Sequence, residues 1–300
     1  MIDYRLQVLD AVRRHGTITA AAEALHLTPS AASHQIRALA RELELTLLEP
    51  EGRNVRLTAA AHTLLAHADV LFAQWENARA DLAAHRAGGL SGALRLCGFS
   101  TAAAAFVPPA AARLRQAYPQ LSVQIIETEP GPAFDLLASG QADIAVVVAT
   151  PGIPPATDAR FDQQRLYDEP LDLLLPASHP HAESRAIALH DAATDPWIVG
   201  TPGGAYHHLV LLACASAGFS PTIAHYANEW DTGAALVAQG FGVALLPRLA
   251  HIPAHHHTVR LPLYGEPAPI RHIITATRAG SGSQPAISAG LSALRHVAGE

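Results

Sequence analysis

Two glycine-led turns place hydroxyl residues where a chain can do chemistry. Gly98-Phe99-Ser100-Thr101-Ala102 follows the apolar run Leu94–Cys97, and Gly200-Thr201-Pro202-Gly203-Gly204 follows Trp197–Val199. Where a buried strand gives way to a helix, the first backbone N–H groups of the helix lack partners and face outward. Hydroxyls beside them turn such a loop into a seat for an anion, most simply a carboxylate. The same residues also serve as helix N-caps, a role that does not compete with binding. The first turn has a second reading as well. Gly-x-Ser-x-Ala after a strand is one residue away from the Gly-x-Ser-x-Gly elbow of serine hydrolases, with Ser100 in the nucleophile position. That chemistry requires a base held against the serine, and spacing singles out none of the 18 histidines. A serine hydrolase is therefore the rival class, and no catalytic residue is assigned.

The histidines raise the question of a metal. His251, His255, His256 and His257, with His179, His181, His207, His208 and His225, fit no zinc-ligand spacing, and no cysteine joins them. No metal and no cofactor is expected. Cys97 and Cys214 are the two cysteines, too far apart in sequence for a redox motif, and they do not imply a disulfide framework.

A third set of residues lies near the N-terminus, in TITAAAEALHLTPSAASHQIRALAR. Its spacing predicts a helix around Ala20–Leu25, a turn at His26-Leu27, and a second helix starting at Pro29, with Thr28 as N-cap and proline at the first helical position. Ala32, Ile36, Leu39 and Leu43 fall on one side of that helix; Ser30, Ser33, His34, Arg37 and Arg41 fall on the other. Short hydroxyl side chains at a helix start allow close approach to a duplex, and the guanidiniums reach phosphates or base edges. The predicted DNA-contacting set is Thr28, Pro29, Ser30, Ser33, His34 and Arg37. Arg53 joins it from the turn Glu51-Gly52-Arg53-Asn54 of a short wing spanning Leu47–Leu57. Any amphipathic surface helix shows two such faces, so the flanking sequence has to decide.

The elements that must position these groups can be read outward from them. Leu6, Leu9 and Val12 form the stripe of a first helix that Gly16 ends. Residues 58–87 contain neither proline nor glycine, and Leu64, Leu65, Ala68, Leu71, Phe72, Trp75 and Leu82 recur at three and four. The result is a long helix whose seam needs a partner, most simply the same helix of a second chain. Gly88-Gly89-Leu90-Ser91-Gly92 reads as a linker, after which strands and helices alternate in an α/β pattern and imply a mostly parallel sheet. Leu137–Val147 and Val237–Leu246 echo each other as helix end, glycine cap and buried strand, which favours two similar lobes.

These motifs resemble those of the LysR-type transcriptional regulators. The likeness runs from AAEALHLTPSAASHQIRALARELELTLLE through EGRNVRLT and continues, less specifically, along nearly the whole chain. It departs from the family at three points: Leu47-Leu48 and Pro50 stand where the family has Leu-Phe and then arginine, Glu44 where it has glycine, and Thr58-Ala59-Ala60-Ala61 where it has Thr-x-Ala-Gly. The resemblance implies a winged helix-turn-helix domain (1–57, all-α apart from its wing), a linker helix for dimerisation (58–87) and an α/β effector domain (88–300) resembling periplasmic solute-binding proteins. One lobe of that domain would span about 91–164 and 267–300, the other about 165–266. Ser100, Thr101 and Thr201 would then line an effector pocket, with Thr150 and Asn228 in its walls. Double-stranded DNA, a small carboxylate and further copies of the chain are the expected partners, and no catalysis is expected.

Composition weighs against part of this. Net charge is −6, and residues 1–57 set seven arginines against seven carboxylates, so attraction to phosphate must come from local placement. No run of residues has the length and polarity of a signal peptide or a membrane span, so a cytoplasmic location is expected. A solute-binding protein that never touches DNA is the other alternative, and it leaves the N-terminal helices without a role.

Overall fold

Asp3 starts the first helix: its carboxylate accepts from the Arg5 backbone N–H at 2.9 Å, α1 runs Tyr4–His15, and Gly16 closes it at φ 74°. The computed structural model describes residues 3–52, 54–84, 90–265 and 268–299. Thr17 caps α2 (Ile18–Ala24), His26 makes the turn at φ 55°, and Thr28 caps α3 (Pro29–Glu42) by accepting from Ala31 N–H at 3.2 Å. Strands β1 (Leu48–Glu51) and β2 (Asn54–Leu57) pair antiparallel as the wing. Val8, Leu9, Ala21, Ala32, Ile36, Leu39 and Leu47 form one small core. Leu43, expected in the buried stripe, is 39% exposed, because α3 ends there and Glu44 turns the chain away at φ 54°.

The long helix α4 (Ala59–Ala84) extends about 39 Å at 1.5 Å per residue. Its expected last turn and the Gly88-Gly89 linker lie outside the described residues. The predicted single seam divides into three parts. Ala61, Leu65 and Ala68 belong to the winged-helix core, while Glu76 and Ala80 are buried further along. Glu76 accepts from Gln284 at 2.6 Å and meets Arg278 at 3.4 Å, tying the helix to the α/β part of its own chain. Val70, Leu71, Trp75 and Leu82 remain exposed.

In the α/β part, β3 (Gly92–Gly98) pairs parallel with β4 (Leu121–Glu127) and β5 (Ile144–Val148). The 16-residue β6 (Phe161–Pro176) then runs through both halves of one eight-stranded sheet. Its first half pairs antiparallel with β12 (Ile270–Arg278), which also borders β5; its second half pairs antiparallel with β10 (Ala244–Pro247) and β11 (Thr258–Tyr264). Between these, β7 (Ile187–Ala188) joins β11, and β8 (Pro196–Val199) pairs parallel with β9 (Thr222–Tyr226). The sheet is thus mixed rather than mostly parallel: a strand crossing from one half to the other and the strand returning must run in opposite directions.

Helices α5 (Ser100–Ala105) and α6 (Val107–Ala117) follow β3 as two pieces rather than one, because Pro108-Pro109 cannot continue a helix and instead starts a new one. With α7 (Pro130–Ala138) and α10 (Pro285–Ala298) they cover the first half. Helices α8 (Ala205–Ser216) and α9 (Trp230–Ala238) cover the second. Each half has its own apolar clusters, around Leu96, Ile144 and Leu294 on one side and Leu173, Trp197 and Leu245 on the other. The sequence echo is real locally, with Gly140 and Gly240 at φ 71° and 76° closing α7 and α9. It stops at topology, since β5 pairs parallel with β3 whereas β10 pairs antiparallel with β6.

Candidate nucleic-acid interface and ligand cleft

On α3, Ala32, Ile36 and Leu39 face the core, and Thr28, Pro29, Ser30, His34, Arg37 and Arg41 are exposed, with Ser33 half-buried between them. The Thr28 and Ser30 hydroxyls lie 3.1 Å apart, and Arg37 Nε donates to the Ser33 carbonyl at 3.2 Å, which holds the guanidinium along the helix surface. Two of the nearby carboxylates are occupied: Glu42 by Arg5 at 2.7 Å, Glu49 by Arg56 at 2.8 Å. Among the described residues, Arg37 and Arg41 form no ion pair, so positive charge is available on this face despite the balanced domain total. Arg53, predicted to act from the wing, lies outside the described residues.

The two hydroxyl-bearing turns have different environments. Thr101 is buried, and its Oγ1 accepts from Arg271 at 2.9 Å; Ser100, one residue before, is exposed. Arg271 lies near the start of β12, sits over the Phe99 ring at 5.3 Å and donates through Nε to Glu169 at 2.9 Å. Glu169 lies on β6 where that strand passes from one half to the other; it is fully buried, and its other oxygen accepts from Leu249 N–H at 2.8 Å. On the opposite half, Thr201 donates through its backbone N–H to Asn228 Oδ1 at 3.0 Å, with the hydroxyl at 3.3 Å. Tyr206 in the first turn of α8 donates its hydroxyl to the Leu245 carbonyl. Burial pushes its phenol well above the usual range, and the positive charge of Arg271 works against that shift. Thr150 is half-buried just after β5, beside Ala149, whose N–H donates to the His272 carbonyl at 2.8 Å. The structure therefore joins Thr201 to Asn228 and Thr101 to the pair Arg271–Glu169, and Ser100 meets none of them through its side chain. The inward hydroxyl is Thr101 rather than Ser100, and its partner is a guanidinium rather than an imidazole, an environment unlike a hydrolase elbow.

No motif in the sequence marks Arg271 or Glu169. The available signal was their position in otherwise inward-facing runs, since Arg271 alternates with Ile273 and Thr275, both buried. Two further results bear on predicted chemistry. Cys97 and Cys214 are buried free thiols, each pushed up to about 12 by desolvation. Asp231, His255 and His256 converge, although no sequence spacing connected them.

A helix-turn-helix with an open polar face, a wing, a long helix and an α/β part with a buried polar cluster where its halves join are the parts of a DNA-binding regulator with a ligand-sensing domain. Residues 4–62 match the family model for the bacterial regulatory helix-turn-helix protein, lysR family, and residues 87–299 match that for the LysR substrate binding domain. The chain belongs to the LysR family of transcriptional regulators. It is 30% identical over 99% of its length, and 97% of the relative's, to the probable HTH-type transcriptional regulator LrrA of Synechococcus elongatus. It is 27% identical to the hydrogen peroxide-inducible genes activator of Dickeya chrysanthemi, with 92% and 89% of the two chains covered. Its fold matches a full-length OxyR variant from Pseudomonas aeruginosa at a TM-score of 0.63 and 25% identity, covering 97% and 96% of the chains. CbnR complexed with its target DNA shares the fold at a TM-score of 0.57 and 21% identity, covering 98% of each chain. Neither a serine hydrolase nor a solute-binding protein without DNA binding finds support in these matches.

Proposed function

We propose that residues 1–57 read DNA through Thr28, Pro29, Ser30, Ser33, His34, Arg37 and Arg53, and that 58–87 carries dimerisation. The remaining part, 88–300, senses a small anion, most simply a carboxylate, between a lobe of 91–164 with 267–300 and a lobe of 165–266. Ser100, Thr101, Thr150, Thr201 and Asn228 contact that effector, and Arg271 joins them. The protein works in the cytoplasm as a homodimer or homotetramer and catalyses no reaction.

The observation that carries the effector reading is the buried guanidinium of Arg271 where the crossing strands meet, held by one carboxylate and one hydroxyl. A small anion is the ligand that a guanidinium at this position would recognise. The N-terminal end of α8, whose N-cap Gly204 has no side chain to satisfy the first amides, supplies further donors. Strand β12 offers a route for the signal. Arg271 at one end touches the cleft, and Arg278, seven residues and about 24 Å on, touches Glu76 of α4. An effector that changes the angle between the lobes thereby pulls on the helix that spaces the DNA-binding heads. Exposure of Val70, Leu71, Trp75 and Leu82 along one stretch of α4 supports pairing with a second copy. Several relatives take their name from hydrogen peroxide, but peroxide sensing by this chain's thiols is disfavoured, because the thiolate is the reactive form and burial holds both as thiols.

The test is a search for a small acid that raises the melting temperature of the wild type, followed by Thr101→Ala and Thr201→Ala. Each lost hydroxyl contact should weaken the response by about 0.5–1.5 kcal/mol and leave operator binding intact. Undiminished acid affinity in both variants would remove the cleft assignment.

A further inference from the structure

On the outer wall of the second half, three side chains from separate stretches converge. Asp231 is in the first turn of α9, and His255 and His256 lie in the loop between β10 and β11. One donor atom from each lies within 4.8 Å of the others, and His256 Nε2 is 2.8 Å from Asp231 Oδ1. The two imidazole centroids are 4.2 Å apart. Neighbouring residues in an extended strand point to opposite faces, so adjacent histidines seldom meet. Here a turn prevents that divergence: His256 N–H donates to the Pro253 carbonyl at 3.1 Å and Thr258 N–H to the His256 carbonyl at 2.8 Å, so the backbone curls before β11 begins. The His256 ring is packed, its side chain 11% exposed, whereas Asp231 is open to solvent at 67%.

From this geometry we infer a binding site for one zinc-class divalent transition ion, held by Asp231, His255 and His256, with its remaining position open to water or an anion. Two imidazole nitrogens and one carboxylate oxygen form a borderline donor set that suits zinc, cobalt or nickel and is too poor in oxygen for calcium or magnesium. Tetrahedral bonds of 2.0–2.2 Å require donor atoms about 3.3–3.6 Å apart. The observed spacings, from 2.8 to at most 4.8 Å, bracket that range, and rotation of the exposed Asp231 and His255 side chains closes the difference. The ion takes the place of the hydrogen bond between His256 and Asp231: the neutral imidazole carries its one ring proton on Nδ1 and offers the Nε2 lone pair, while the carboxylate offers an oxygen. A hydrogen-bonded imidazole–carboxylate pair alone would explain two of the residues; it does not explain why His255 is brought to the same point.

The site would also communicate with the cleft. Asp231 follows Asn228-Glu229-Trp230, and Asn228 is the residue that holds Thr201. The loop that carries the histidines starts at Arg248 and Leu249, which bind Asp172 and Glu169 of the crossing strand. A bound ion thus ties the Asn228 loop to the segment rooted on Glu169, and it stiffens one wall of the effector cleft.

The experiment titrates the full-length protein, stripped with chelator, with cobalt(II) followed by visible absorption, and with zinc(II) followed by calorimetry. The expected result is one ion per chain, with a tetrahedral or five-coordinate cobalt spectrum and a rise in melting temperature. Asp231→Asn, His255→Gln and His256→Gln should each weaken affinity by at least about tenfold. His179→Gln/His181→Gln, which alters a histidine pair elsewhere, should leave it unchanged. Circular dichroism of each variant without metal reports whether the fold survives, and since the three residues are close to the surface it should. Absence of stoichiometric uptake by the wild type, or uptake that survives all three single changes, overturns the site.

Discussion

Removing the charge of Glu169 is the severest single test of the hinge. Glu169 is fully buried and Arg271 is 8% exposed, so solvent screens their attraction little. The carboxylate accepts from Arg271 through one oxygen and from Leu249 N–H through the other. Glu169→Gln keeps the shape and an acceptor for Leu249, but it leaves a guanidinium without a counter-charge. At the separation of a contact ion pair, and with the effective dielectric that suits protein sites, that attraction is about 4 kcal/mol. Losing one partner of a buried pair costs about 3–5 kcal/mol, and the two figures agree. Arg271→Met should cost a similar amount by stranding the carboxylate. The double variant removes both charges and should be less destabilised than the sum of the singles by about 2–3 kcal/mol. Urea denaturation followed by fluorescence measures this cycle, because Trp197 lies fully buried in the core of the second half. Additive losses, or single losses below about 1 kcal/mol, would refute the claim that the pair holds the crossing strands together. The double variant should fold and bind operator DNA yet ignore the effector, which separates the stabilising role of the pair from its role in sensing.

Other outcomes follow from local features. Glu44 occupies a left-handed conformation at φ 54° just beyond α3, so Glu44→Gly should stabilise the winged domain by about 0.5–1 kcal/mol and raise its melting temperature; a lower one would refute the strain. Arg37→Ala should weaken operator binding by about 1–3 kcal/mol if a base contact is lost, or reduce the salt slope by about one if a phosphate contact is lost, and Ser33→Ala should also weaken it. Unchanged salt-controlled titrations for both would exclude α3 as the reading helix. Burial raises the Cys97 and Cys214 thiols from 9.0 to about 12, so the folded chain keeps protons that the unfolded chain releases. Their contribution is complete below pH 9 and is lost as pH rises towards 12, at about 1.4 kcal/mol per thiol per pH unit. Urea midpoints between pH 8 and 10.5 should therefore fall less steeply for Cys97→Ala/Cys214→Ala than for wild type, and equal slopes would contradict the burial of the thiols.

What could be read in advance was what lies close in sequence. Thr28-Pro29 announces a helix start because cap and proline are adjacent, and the structure has both where they were expected. Gly16, Gly140 and Gly240 announce helix ends for the same reason. The family departure at Glu44 was visible too, but its physical meaning required the dihedral: a position that favours glycine is filled by a residue with a side chain. Arg271 and Glu169 stand 102 residues apart, and they meet only because β6 and β12 pair in one register. No local pattern encodes that register, so a buried charge on each strand reads as an exception rather than half of a pair. Asp231 and His256, 25 residues apart, were separated in the same way by an intervening helix end and strand. The long helix was legible as a helix, but the partners of its faces were not, for a different reason. Its apolar residues recur at helical spacing whether they face the winged core, the α/β part or a second chain, and periodicity records that a side chain is buried without recording against what. Net charge fails in the same manner at the DNA face. Seven arginines and seven carboxylates cancel in a sum over residues 1–57, yet Arg5 and Arg56 draw off Glu42 and Glu49 at short range. If α3 reads DNA as proposed, a phosphate backbone meets the remainder there, Arg37 and Arg41 beside a row of hydroxyls, and the attraction should be local and fade within about one Debye length, 8 Å at physiological salt.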